Sequence, residues 1–221
     1  MKKISLIVGG IIVALVEAIG LILLARGASY PLTIVDPALG AEQAPVVIEE
    51  FADWQCPACR LAAAAIEEVA KTYPNQVRIV YKDFPIPGHA HARFVAAAGL
   101  CSAQQNKFQE FYKYAFETQT QWTSMDRAGV EALLLAWAST QGLDMAEFNA
   151  CRESRTVRAE VDKDVKEGIS RSVNSTPTFF IDGQKQEGGL SVFQWIQKIN
   201  EVLKSKGLEP ETVTTSAPEA E

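Results

Sequence analysis

The sequence predicts a mixed α/β fold in which an all-helical segment interrupts a domain of strands and helices. The order strand, helix, strand occupies residues 46–81, because β-branched apolar runs flank a stretch with helical spacing. Residues 89–168 then follow helical patterns almost throughout. A strand pattern returns at residues 178–181, ahead of a hairpin turn and a final helix at residues 192–204. This order is typical of an α/β domain with a helical insertion.

The boundaries follow from these patterns. The α/β domain is predicted at residues 46–88 and 169–205, and the helical insertion at residues 89–168. Strands are expected at residues 46–51 and 77–81, paired in parallel because a single crossover helix joins them. The helices of the insertion are predicted at residues 90–105, 107–117, 127–140, 145–152 and 155–167.

The N-terminal segment is predicted to be a membrane anchor at residues 1–26. Lys2 and Lys3 precede an apolar run at residues 4–24 that holds one charge, Glu17. The run is long enough to span a hydrocarbon core of roughly 30 Å. A cleaved signal peptide has a shorter apolar part and a small-residue cleavage site, so an uncleaved anchor is favoured. The early lysines place the N-terminus in the cytoplasm and the rest outside, as a single-pass protein of the cell membrane.

Two further segments are predicted to lie outside the domain. Residues 27–45 have the composition of a linker, within which residues 32–35 have the pattern of a short edge strand. Residues 206–221 are acidic, rich in threonine and proline, and without an apolar period, which predicts a disordered tail.

Composition narrows the classes of function. The chain has 221 residues, of which 48% are hydrophobic, so a buried core is expected. The formal net charge of −6 disfavours nucleic acid as a partner. Four cysteines are too few for a disulfide scaffold, and their role depends on their placement.

Cys56, Pro57, Ala58 and Cys59 form the pattern with the clearest chemical meaning. Cys56 follows a strand and opens a helix, where unpaired N–H groups and the helix dipole stabilise a thiolate. Cys56 is therefore the predicted nucleophile, and Pro57 suits a first helical turn. Cys59, one turn further, is the predicted resolving thiol. An inert structural pair and half of a zinc site are the alternatives at this point.

A zinc site would need four ligands. The remaining candidates are His89, His91, Cys101 and Cys151. The spacing of the two histidines is too tight for a zinc finger, and the two further cysteines are isolated. We therefore predict no metal site.

Thr176 and Pro177 directly precede an apolar strand, where a proline cannot donate to the ladder. A cis peptide bond is one solution, and a trans proline that begins the strand is the other. A cis bond would leave the Thr176 backbone free to pair with an extended peptide beside the cysteines. Thr176 is thus a candidate substrate-binding residue.

Glu50 is out of place in an apolar strand, six residues before Cys56. A half-buried carboxyl with a pKa raised by desolvation could relay a proton to or from Cys59. The alternative is an edge-strand glutamate that pairs with a lysine.

Four stretches together resemble DsbA-like thiol-disulfide oxidoreductases of the thioredoxin superfamily. They are residues 51–60 (FADWQCPACR), 82–85 (KDFP), 142–144 (GLD) and 176–183 (TPTFFIDG). They occur in the family's order, and the resemblance extends over about residues 36–204. It implies a thioredoxin fold with its own helical insertion.

The resemblance also implies roles for single residues. It makes Cys56 the attacking cysteine, Cys59 its partner and Pro177 the cis-proline, and Glu50 matches the position of the family's buried acid. Similarly placed cysteines form a second disulfide in many relatives, which implies a structural bridge between Cys101 and Cys151. Two buried free thiols are the alternative.

The expected function is the introduction of disulfides into unfolded or reduced extracytoplasmic proteins. The resemblance implies reoxidation by a quinone-linked membrane protein, and a monomer without a dissociable cofactor is expected. Pro57 and Trp54, beside the cysteines, are candidates for the substrate-facing surface, although Trp54 also suits a core position. Ala58 and Thr176 depart from the simplest oxidase pattern. A reductase or isomerase using the same site, and a non-catalytic peptide-binding holdase, are the rival functions.

Overall fold

A five-stranded mixed sheet lies at the centre of the computed structural model, which describes residues 34–211. In chain order the strands are β1 (Ala38–Gly40), β2 (Val46–Ala52), β3 (Val77–Asp83), β4 (Thr178–Ile181) and β5 (Gln184–Glu187). They are arranged in the order β1-β3-β2-β4-β5. The pair β2 and β3 is parallel, and the other pairs are antiparallel. The predicted α/β fold is therefore confirmed.

Helices account for most of the remaining residues in the range that the structure describes. They are α1 (Pro57–Thr72), α2 (Ala92–Gln104), α3 (Phe108–Glu117), α4 (Gln119–Trp122), α5 (Arg127–Thr140), α6 (Met145–Glu153), α7 (Arg155–Ser170) and α8 (Val192–Ser205).

The helical insertion runs from α2 to α7, between β3 and β4. Local signals define several of its helix starts. Asp126, Asp144 and Ser154 cap α5, α6 and α7 with side-chain acceptors, as short polar side chains do for unpaired backbone N–H groups. A disulfide between Cys101 on α2 and Cys151 on α6 joins two of the helices, with Cα atoms 5.8 Å apart.

The edge strand differs from the prediction. Residues 34 and 35 are outside any strand, residues 32 and 33 lie outside the described range, and β1 instead forms at Ala38–Gly40. Alanine and glycine favour strands only weakly, so pairing with β3 decides this element. Gly40 has φ +82°, and a Cβ there would meet the Val77 carbonyl. Glycine is therefore required where the two backbones approach.

The structure describes only part of the two end segments of the chain. The predicted anchor at residues 1–26 lies outside the described residues. Within residues 34–211, none of the helices is both long and apolar enough to cross a membrane. Residues 206–211, from the predicted disordered tail, bond to the loop after α1: the Glu211 N–H donates to Gln76 Oε1 at 2.7 Å.

Candidate active site

Cys56 and Cys59 lie where the central strand gives way to α1. Cys56 is the N-cap of α1 and Pro57 its first residue, a position that needs no backbone N–H donor. Both cysteines are free thiols in this structure. Cys56 is 8% exposed, whereas Cys59, one turn into the helix, is fully enclosed. An incoming thiol can therefore reach only Cys56.

The surroundings of Cys56 favour its thiolate, as the sequence predicted. A hydrogen bond from the Cys59 thiol is the largest influence, and Thr176 and the backbone groups of Ala58 and Cys59 add others. Together they outweigh burial and lower the pKa of Cys56 to about 5. The backbone donors belong to the N-terminal turn of α1, where N–H groups lack helical partners.

Cys59 has the opposite environment. Burial raises the pKa of its thiol, and the adjacent Cys56 sulfur and the Glu50 carboxyl raise it further. The Asp53 backbone N–H lies 3.5 Å from the Cys59 sulfur, a contact that only partly offsets burial. Cys59 is thus held as a neutral thiol beside a stabilised thiolate.

The loop before β4 closes the site from the other side. The Thr176–Pro177 peptide bond is cis, which settles the choice between the cis and trans interpretations. The Thr176 carbonyl oxygen lies 3.5 Å from Cys56 Sγ. The structure therefore brings this loop against Cys56 across a long sequence separation, while a role for Thr176 in binding substrate stays a prediction.

Glu50 lies in the middle of β2 and is fully enclosed. Burial raises the pKa of its carboxyl to about 8, although a hydrogen bond from Tyr112 opposes the shift. Within residues 34–211, Glu50 does not pair with a lysine, and the neighbouring Glu49 pairs with Arg171 at 2.8 Å. Glu50 therefore has the environment of the proton-relay group that the sequence predicted, and the role itself stays a prediction.

Trp54 does not belong to the substrate-facing surface, and that prediction is wrong. Its side chain is 2% exposed. The indole ring stacks on Phe116 with 5.0 Å between ring centroids, and its N–H donates to Asp83 at 2.8 Å. A large aromatic ring gains more from burial than from exposure, and its N–H has a partner inside.

Asp53 is a residue of the site that the sequence analysis missed. Its carboxylate is buried and accepts hydrogen bonds from the Gln55 N–H at 2.7 Å and the Ile86 N–H at 2.6 Å. It also lies 2.8 Å from His89 Nδ1. These bonds join the segment before Cys56 to the loop after β3. An acid between a buried strand and the cysteine pair was the available signal.

Gln119 on α4 was also missed. Its side-chain amide is buried and donates to the carbonyls of Trp54 and Cys56, at 2.8 and 2.9 Å. Through Gln119 the insertion holds the backbone at Cys56. No sequence signal distinguishes Gln119 from Gln121 two residues later.

The histidines and the second cysteine pair do not assemble with the first pair. His89 contacts Asp53, and His91 Nε2 lies 3.1 Å from the Met125 carbonyl. Cys101 and Cys151 are bonded to each other.

Within residues 34–211, one acidic cluster has spacing suited to an ion, formed by Asp36, Glu160 and Asp164. The Lys82 ammonium already lies 3.1 Å from Asp36 and 3.3 Å from Asp164. A buried lysine thus supplies the positive charge that this cluster requires.

Comparison with known proteins gives the family. A family model described as thioredoxin matches residues 33–201. This chain belongs to the thioredoxin family. The thioredoxin-like fold expected from the sequence is thereby confirmed.

DsbA-type proteins are among its structural neighbours. Wolbachia pipientis α-DsbA1 has a TM-score of 0.66 and 20% identity, over 77% of this chain and 92% of that chain. Oxidised BdbD from Bacillus subtilis has a TM-score of 0.65 and 21% identity, over 76% and 93%. A thioredoxin-like oxidoreductase from Silicibacter pomeroyi DSS-3 has a TM-score of 0.63 and 28% identity, over 76% and 92%. The first two of these neighbours are less than 25% identical to this chain, and they show the shared fold.

Curated relatives are much longer proteins. Na(+)/H(+) antiporter NhaA 3 of Salinispora tropica is 29% identical over 177 residues, which are 80% of this chain and 26% of the relative. Na(+)/H(+) antiporter NhaA 1 of Mycobacterium sp. (strain KMS) is 30% identical over 69% of this chain and 24% of its own length. The chain therefore spans about a quarter of the length of these relatives.

Proposed function

We propose that this chain introduces disulfides into unfolded or reduced extracytoplasmic proteins through Cys56 and Cys59. The observation that carries the proposal is the contrast between the two thiols. The pKa of Cys56 is lowered to about 5, while Cys59 is buried beside a carboxyl and has a raised pKa. A stabilised thiolate favours the reduced enzyme, and an enzyme whose reduced form is favoured oxidises its substrates.

The order of the reaction steps follows from the exposure of the Cys56 sulfur. A substrate thiolate attacks the sulfur of Cys56, the more accessible end of the Cys56–Cys59 disulfide, and Cys59 leaves as a thiolate. Cys59 then takes a proton, for which the buried Glu50 carboxyl, which interacts electrostatically with Cys59, is the candidate donor. A second thiolate of the substrate then attacks the substrate sulfur of the mixed disulfide and displaces the sulfur of Cys56. The substrate gains a disulfide and the enzyme is left with two reduced cysteines.

The reduced enzyme must pass two electrons on before another turnover. We propose a quinone-linked membrane protein as the acceptor, which the resemblance to DsbA-like enzymes suggests. The cis Thr176–Pro177 loop beside Cys56 offers the backbone against which an extended substrate segment would lie.

The reduction potential of the Cys56–Cys59 pair tests the direction of electron flow. Equilibration of the purified chain with glutathione should give a potential more positive than about −200 mV. A value near −270 mV, the range of thioredoxin, would assign the chain to the reductases. Thr176, a residue also found before the proline in disulfide isomerases, keeps the isomerase as the second candidate.

A trapping experiment separates catalysis from peptide holding. Cys59→Ala removes the resolving thiol, so mixed disulfides between Cys56 and client proteins should accumulate in cells. Cys56→Ala with Cys59→Ala is the matched control and should trap none. A holdase with an inert bridge would yield no covalent client in either variant.

We also propose that residues 1–26 anchor the chain in the cell membrane with its N-terminus in the cytoplasm. The disulfide between Cys101 and Cys151 supports an extracytoplasmic position, because disulfides persist in oxidising compartments. Extraction only by detergent, together with protease sensitivity from the outer face, is the expected result. Release by alkaline carbonate would contradict the anchor.

A further inference from the structure

The carboxyl of Glu50 has a phenol, and not a cation, as its partner. The Tyr112 hydroxyl lies 3.1 Å from Oε2 and 3.4 Å from Oε1 of Glu50. Among residues 34–211, Glu50 forms no ion pair. A phenol donates one proton without adding a charge, so it can stabilise a carboxylate while leaving the protonated acid accessible.

The other groups around Glu50 lie on the elements that pack against β2. Across the sheet it lies opposite Tyr81 on β3 and Phe179 on β4. From α1, Cys59 interacts electrostatically with Glu50, and Glu67 acts on Tyr112. Tyr112, on α3, thus provides the hydrogen bond that favours the charged form of Glu50.

Tyr112 is held firmly in place. Its side chain is 1% exposed. The ring packs against Phe116, Tyr81 and Trp54, with centroid separations of 4.9, 5.9 and 6.1 Å. Burial raises the pKa of the Tyr112 phenol well above its ordinary value, so the hydroxyl stays a neutral donor. A donor fixed in this way needs no rearrangement when the charge on Glu50 changes.

We propose that Tyr112 is a positioning residue for proton transfer, whose hydroxyl stabilises the carboxylate that remains after Glu50 has protonated Cys59. The inference rests on the proposed function, because it concerns the step in which Cys59 leaves. In that step the incoming thiolate forms a bond to the Cys56 sulfur, and the Cys56–Cys59 bond breaks. The electron pair stays on Cys59, which takes the proton of the Glu50 carboxyl. The helical insertion thereby contributes directly to the chemistry of the cysteine pair.

The first test measures the titration of Glu50 itself. Carbon-13 labelling of glutamate carboxyls, with Glu50→Gln to assign the signal, reports its midpoint in the oxidised full chain. The native midpoint is expected near pH 8. Tyr112→Phe keeps the ring and removes only the hydroxyl, so the midpoint should rise by about one pH unit.

Tyr114→Phe is the matched control, since it removes a hydroxyl from the same helix. Tyr114 stacks on Trp137 at 5.7 Å and forms no bond with Glu50. The titration midpoint of Glu50 in Tyr114→Phe should equal that in the native chain. A Glu50 midpoint that is the same in Tyr112→Phe and the native chain would overturn the inference.

The second test is kinetic and separates proton transfer from packing. Opening of the Cys56–Cys59 disulfide by reduced glutathione should slow roughly threefold to tenfold in Tyr112→Phe at pH 7. In a Glu50→Gln background the same substitution should have no further effect, because the bonded acid is gone. An equal slowing in that background would show that Tyr112 acts through packing alone.

The reaction of the native chain with glutathione distinguishes failure of the proposed function from failure of the proposed role of Tyr112. If the oxidised native chain does not react with glutathione, the proposed function is wrong. If it reacts and Tyr112→Phe reacts at the same rate, only the role of Tyr112 is wrong.

Discussion

Cys56 and Cys59 have the same side chain and lie within one turn of α1, yet their proton affinities are driven apart. Cys56 receives hydrogen bonds at the helix N-terminus, and Cys59 is enclosed next to an acid. The pair therefore holds one proton firmly and releases the other easily. Each thiol contributes to the difference, because the Cys59 thiol is the strongest stabilising contact of the Cys56 thiolate.

The first prediction concerns this contact. In the reduced native chain, the thiolate absorbance of Cys56 should titrate near pH 5. Cys59→Ala removes the largest stabilising hydrogen bond, so the pKa of Cys56 should rise toward that of an ordinary thiol. The rate of alkylation by iodoacetamide as a function of pH gives an independent measurement. An unchanged midpoint would mean that Thr176 and the N-terminus of α1 set the pKa without the Cys59 thiol.

The second prediction concerns the cost of burying Glu50. Its carboxyl titrates at an ordinary value of 4.5 when unfolded and at about 8 in the fold. Between these values the folded chain retains a proton that the unfolded chain has released. The contribution of Glu50 to the free energy of unfolding is therefore most favourable below pH 4.5. It falls as the pH rises to about 8.

Glu50→Gln removes this titration and keeps an acceptor for Tyr112. At pH 8 the variant should be more stable than the native chain by roughly 2–4 kcal/mol, with little difference at pH 4. Urea denaturation of the oxidised proteins measures this without titration of the cysteines. Parallel stability curves for the two proteins would contradict the raised pKa of Glu50.

At the scale of elements, the insertion is part of the candidate active site. Helices α3 and α4 supply Tyr112, which bonds Glu50, and Gln119, which bonds the carbonyls of Trp54 and Cys56. The site thus depends on the junction between β2 and α1 and on helices far along the chain.

The third prediction concerns Gln119. Gln119→Ala removes the amide donor of two buried carbonyls. The Cys56 carbonyl keeps the Arg60 N–H at 3.2 Å and the Trp54 carbonyl loses this donor, so the free energy of unfolding should fall by about 1–3 kcal/mol. Gln121→Ala, at an exposed position of the same helix, is the control and should change it by less than about 0.5 kcal/mol. Urea denaturation compares the two. Equal effects would show that the helix tolerates loss of either side chain and that the two bonds contribute nothing.

At the scale of the whole molecule, the disulfide between Cys101 and Cys151 crosses most of the insertion. Its two cysteines are 50 residues apart in sequence and are both buried. Closing a loop of this length restricts the unfolded chain and stabilises the fold by about 4 kcal/mol in the chain-entropy model.

The fourth prediction follows from this bridge. The double variant Cys101→Ala and Cys151→Ala should lose about 3–4 kcal/mol of unfolding free energy. Calorimetry and urea denaturation measure the loss. A loss below about 1 kcal/mol would contradict a structural role for the bridge.

The sequence by itself determined most of the elements and the placement of Cys56 at the junction of β2 and α1. Period-two and helical spacing, helix caps and the placement of Cys56 at a helix start are local properties, so neighbouring residues alone encode them. Pro177 before an apolar strand indicated either a cis peptide bond or a trans proline that begins the strand, and local signals did not choose between them. These local signals predicted the strand-to-helix junction at which the cysteine pair lies.

Tertiary structure decided what local patterns do not encode. Trp54 is core and not surface, and β1 forms at Ala38–Gly40 through its pairing with β3. Tyr112 and Gln119 reach the site only because the insertion folds back over β2 and α1, more than fifty residues away in sequence. Which side chains meet over such separations depends on how whole helices pack, and single-residue preferences carry little of that information.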